Sequence, residues 1–122
     1  MIPYEGVLAT EMTAEQQTLL MSTITAFLVL LPPKPLKFRF QQIQENLSET
    51  YFSWIGGFGP ADPFYYRIHS PVALFEFDHH SGVFLTNEEP AKYHIHTIQR
   101  LPNGNDYGRE LRELLRDEGK RN

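Results

Sequence analysis

The chain has 122 residues, 41% of them apolar, with 11 Lys and Arg against 15 Asp and Glu and a formal net charge of −4. A length of this order fits one domain that buries roughly two-thirds of its unfolded surface, and the apolar share excludes disorder as the starting assumption. The acidic balance argues against a phosphate-backbone partner, so no nucleic acid is expected, and the absence of cysteine excludes disulfides, thiolate nucleophiles and Cys-ligated zinc.

The opening residues Met1-Ile2-Pro3-Tyr4-Glu5 lack the basic and apolar regions of a secretory signal. The longest nearly uncharged run, 16–33, contains Gln, Thr and Ser and falls short of the roughly 20 apolar residues that a spanning helix needs. No membrane partner and a cytoplasmic location are the resulting expectations.

Thr13-Ala14-Glu15-Gln16 has the form of a capping box, with Thr13 as N-cap and Gln16 at the third helical position. Leu20, Ile24, Phe27, Leu28 and Leu31 follow at helical spacing, and Thr18, Ser22 and Thr25 form a wet face opposite. Pro32-Pro33 is expected to end this helix, and "PPKP" (32–35) to act as a stiff connector. Phe40, Ile43 and Leu47, separated by Gln and Glu, predict a second amphipathic helix ending near Ser48.

From Thr50 the texture changes to aromatic and β-branched runs, "TYFSWI", "FYYRIH", "VALFEFD" and "YHIHTIQ", divided by turn residues. Strands are predicted at about 50–56, 64–69, 72–78 and 93–99, forming an antiparallel meander, with a long loop from His79 to Lys92. "YGRELRELLRDEG" places Leu111, Leu114 and Leu115 on one face ahead of Gly119 and predicts a C-terminal helix. The fold class is therefore α+β: an antiparallel sheet of about four strands, two N-terminal helices and one C-terminal helix. No composition break divides residues 1–122 into two domains.

All five histidines, His69, His79, His80, His94 and His96, lie between positions 69 and 96. Side chains alternate across a strand, so His94, His96, Ile98 and Arg100 share one face, as do Leu74, Glu76 and Asp78. If these strands pair, Glu76 and Asp78 can oppose His96 and His94, with Tyr65, Arg67 and His69 bordering the patch. Two readings follow. In one, Glu76, His94 and His96, with Asp78 as a further candidate, ligate a divalent metal such as zinc, iron or manganese. In the other, each histidine donates to a carboxylate in a satisfied polar network; a metal-free acid–base site is a third option. His79 and His80 fall at a strand end before Ser81-Gly82 and are assigned to a solvated turn. "YFSWIGGFGP" lacks the Lys and helix start of a P-loop, and "FYYR" stands without the basic stripe of a nucleic-acid platform.

Several segments together resemble the C-terminal part of the family catalogued as domain of unknown function 3500. They are "IPYEG" (2–6), "WIGGFGPADPFYYRIHSP" (54–71), "EFDHH" (76–80) and "HIHTIQRLPNGNDYG" (94–108). The resemblance covers nearly the whole chain. It implies that the chain is the C-terminal portion of a longer architecture, and it brings Tyr66, Arg67, Glu76, His94, His96, Arg100 and Asp106 into one pattern. It carries no activity. From the shared face of the two strands, the expectation is a metal-binding domain, or the catalytic part of a metalloenzyme acting on a small molecule, in which Arg67 and Arg100, with Tyr66 and His69 as further candidates, meet an anionic group. The alternative is a non-catalytic structural or interaction domain, packing on a missing N-terminal region or on its own copy.

Overall fold

The computed structural model describes residues 2–81, 89–102, 112–113 and 115–116. Thr13 caps the first helix, α1 (Ala14–Leu28): its side chain accepts from the Gln16 N–H at 3.2 Å, and Gln16 Oε1 accepts from the Thr13 N–H at 2.9 Å. Both reciprocal bonds of the capping box are therefore made.

The second helix, α2 (Pro33–Glu45), begins inside the segment expected to be a connector. Prolines are tolerated in a first turn because the N–H groups there have no intrahelical partner and the ring presets a helical φ. "PPKP" is thus the start of α2, and α1 ends four residues before Pro32. Leu20, Ile24 and Leu28 of α1 meet Ile43 of α2 in a buried core with Ala9, Ile68, Ala73 and Phe75.

Among the described residues, five strands form one antiparallel sheet in sequence order: β1 (Val7–Leu8), β2 (Tyr51–Gly56), β3 (Phe64–His69), β4 (Leu74–Ser81) and β5 (Pro90–Arg100). The short β1 carries no alternating run, so the expected strand count was one too low. It pairs with the start of β2, Val7 with Phe52 and Leu8 with Tyr51. β4 starts two residues later than expected because Ser70 forms a tight turn, its Oγ accepting from the Val72 and Ala73 N–H groups. The expected C-terminal helix falls mostly outside the described residues; 112–113 and 115–116 have helical backbone. No helix among the described residues is long and apolar enough to cross a membrane.

Strand parity gives the sheet two unlike faces. Phe52, Tyr66, Ile68 and Phe75 point to the helices and the core. Further along this face Trp54, Phe64, Tyr66 and Phe77 form a run of near-parallel rings, 4.4–6.3 Å between centroids. The opposite face carries Tyr65, Arg67 and His69 of β3, Glu76, Asp78 and His80 of β4, and His94 and His96 of β5. Arg39 on α2 ties the helix layer to the hairpin, donating to the Val72 carbonyl at 2.9 Å.

Candidate functional site

The polar face divides into two clusters, and the register decides which residues join which. Arg67 is paired with Glu76, and Glu76 with Ile98; Asp78 is paired with Tyr65 and with His96. The expectation that Glu76 opposes His96 and Asp78 opposes His94 is corrected by two residues. Parity survives that shift, so the side chains stay on one face while the partners change.

The first cluster is closed by the N-terminal segment. Tyr65 Oη donates to Glu76 Oε1 at 2.5 Å, and Arg67 Nη2 donates to Glu5 Oε2 at 2.6 Å. The Tyr4 ring stacks on His69 at 4.2 Å between centroids, with an interplanar angle of 23°. Gly6 makes this crossing possible. Its φ is +101°, and a Cβ there would sit 2.1 Å from the Phe52 carbonyl oxygen, so no larger residue fits. Burial and the Glu76 contact push the Tyr65 hydroxyl up to about 12. Burial, and then the Arg67 charge, lower the basicity of His69, while the Pro3 backbone and Glu76 pull the other way. Glu76 is thereby engaged in a structural network away from the histidine pair.

The second cluster is the histidine one. His94 Nδ1–H donates to the Ser81 carbonyl, which can only accept. Neutral His94 therefore carries its lone pair on Nε2, and that atom receives the Nε2–H of His96 at 2.8 Å. His80 Nδ1–H donates to Asp78 Oδ2 at 3.3 Å, and the His80 ring stacks on His96 at 4.7 Å. Its centroid lies 5.4 Å from that of His94.

His80, assigned above to a solvated turn, is thus a strand residue in the centre of this cluster. The cause is an irregularity in the β4–β5 pairing. His79 pairs with Ile95 and Ser81 with Pro90, so residues 91–94 of β5 face His80 alone on β4. A bulge of this kind re-aims the side chains beside it. One more step of the alternation from Glu76 and Asp78 reaches His80; the pairing irregularity itself had no sequence signal.

The remaining predicted residues are dispersed. Arg100 pairs with Leu74, six residues from His94, which is roughly 20 Å along a strand. Tyr66 lies in the aromatic layer on the other face, edge-on to Phe27 at 6.3 Å. Asp106 lies outside the described residues. His79 points into the aromatic face, where its Nδ1 accepts from the Phe64 N–H at 2.9 Å and its ring meets Phe64 and Phe77 edge-on.

Beside the histidines a cleft of about 650 Å³ opens at the end of the sheet, lined by Ile55, Asp62, Phe64, Tyr65, Asp78 and Glu89 among others. Asp78 belongs to both the cleft and the histidine cluster. Among the described residues no three His, Asp or Glu side chains already stand arranged to hold a metal ion. What is formed is a pair of imidazoles, with a third held next to it.

A family model described as "Protein of unknown function (DUF3500)" matches residues 1–109. No curated protein and no solved structure matches the chain.

Proposed function

The chain belongs to the DUF3500 family of proteins of unknown function, and from the chemistry of its histidine cluster we propose that it binds a divalent transition-metal ion through His94 and His96. The observation that supports this is the facing of the two Nε2 atoms at 2.8 Å. A tetrahedral ion with bonds of about 2.0–2.1 Å needs two ligand nitrogens roughly 3.3 Å apart, so the rings must part by only about half an ångström. The ion replaces the shared proton, with His96 taking a proton on Nδ1 as it gives up the one on Nε2, and no change of face or strand is required.

The surroundings fit the same use. A ligating imidazole is normally fixed by a hydrogen bond from its other nitrogen to a carbonyl or carboxylate. His94 has such a bond to Ser81, and His80 has one to Asp78. His80 stands next to the pair, its ring stacked on His96, and is the candidate third ligand. Three imidazoles favour zinc or iron over manganese, which prefers oxygen donors. Positions left open on the ion would face water or a small molecule entering from the cleft that Asp78 borders. Glu76 is not assigned to the ion, because its carboxylate is held by Tyr65.

Calorimetric titration of the purified protein with Zn²⁺, Fe²⁺ and Mn²⁺ tests this reading. One ion per chain is expected. His94→Ala and His96→Ala should each weaken binding by more than the roughly 10–100-fold typical of outer-shell changes. His80→Ala should weaken it less, and Glu76→Gln should leave it unchanged. Absence of saturable binding, or binding indifferent to His94→Ala and His96→Ala, refutes it.

A further inference from the structure

Arg67 presents a guanidinium edge that is only half satisfied. Its side chain is 13% exposed; Nη2–H donates to Glu5 Oε2 at 2.6 Å, while Nε–H is buried without a hydrogen-bond partner. These two N–H groups lie on one edge of the guanidinium plane, the fork that a carboxylate takes with both oxygens. Glu5 engages one prong and leaves the other empty. Buried donors are almost always paired, and an exception asks for an explanation. A second buried atom without a partner lies nearby on the same face: Nδ1 of His69, two residues along β3.

Glu5 itself is 63% exposed. Its carboxylate can swing into water without breaking any other contact in which that side chain is seen. Charge also favours exchange over addition. Glu76 already stands in register with Arg67, so a further anion beside both Glu5 and Glu76 would be repelled. An anion that takes the place of Glu5 leaves the local charge unchanged.

We propose that Arg67 anchors a binding site for a small carboxylate, with Glu5 as its built-in, displaceable occupant. The ligand's carboxylate takes Nε–H and Nη2–H together, and Glu5 turns out to solvent. The site is separate from the histidine pair and does not depend on a metal there.

The Arg67 Nε–H resonance of ¹⁵N-labelled protein reports on this directly. Sodium benzoate is titrated into wild type and Glu5→Gln, with benzamide as the uncharged control. In Glu5→Gln the resonance should shift saturably with benzoate, with an affinity several-fold to about tenfold tighter than in wild type, the size of a partly exposed ion pair that no longer needs displacing. Benzamide should have no effect, and a folded Arg67→Lys should lose the response. If Glu5→Gln shows no benzoate-dependent shift at Arg67, or binds no better than wild type, Glu5 is only a structural ion-pair partner and the proposal is overturned.

Discussion

The imidazole of His69 is 3% exposed, stacked beneath Tyr4 and two residues from the Arg67 charge, whereas His94 and His96 stand at the outer end of the same face. One side-chain type is thus used in two ways. Burial and the nearby cation hold His69 below its ordinary value of 6.5, so the folded state keeps it neutral. The unfolded chain takes up that proton more readily once pH drops below 6.5. The stability owed to His69 is therefore complete above that value and declines as pH falls toward the depressed folded value. A neutral replacement, His69→Gln, should lower stability at pH 7 but flatten its decline between pH 7 and 5. The difference in slope should reach at most about 1.4 kcal/mol per pH unit, the limit for one proton. Urea melts of the two proteins across that range measure it; parallel slopes would mean that His69 does not titrate differently on folding.

At the scale of elements, the polar face depends on two pieces of irregular backbone. Gly6 lets the chain cross β2 and delivers Tyr4 and Glu5 to β3. The pairing irregularity between β4 and β5 delivers His80 to His94 and His96. Gly6→Ala places a methyl group against the Phe52 carbonyl and demands a left-handed φ from alanine. It should cost about 1–3 kcal/mol, as strained backbone positions do. It should also release Tyr4 from His69, seen as a change in the Tyr4 ring resonances; an unchanged melting midpoint and unchanged ring shifts would contradict this. These two pieces also mark where sequence reading stops. The capping box at Thr13 and Gln16, the core spacing of α1 and the alternation of β3 to β5 are local signals, and they were legible. The β4–β5 register is not local. It is irregular between His79 and Ser81, and it places Asp78 rather than Glu76 opposite His96. β1 was invisible because two residues make no period, and "PPKP" misled because proline breaks a helix only beyond its first turn.

For the whole molecule, the sheet separates two kinds of work. One face is apolar and aromatic and carries α1 and α2 through Ile24, Leu28, Ile43 and Phe75. The other gathers the histidines, carboxylates and Arg67 where no described helix lies over them, tied at one end by the N-terminal segment and bordered at the other by the cleft beside Asp78. This separation lets the histidine pair change its bonding without disturbing the core. Long-range ¹H–¹⁵N spectra of the imidazole nitrogens, recorded before and after one equivalent of Zn²⁺, test the assignment of that pair. Nε2 of His94 and of His96 should move to metal-bound shifts while His94 Nδ1 remains protonated and the rings of His69 and His79 stay as they were. Unmoved Nε2 resonances at His94 and His96 in the presence of Zn²⁺, or coordination at other histidines instead, would contradict it.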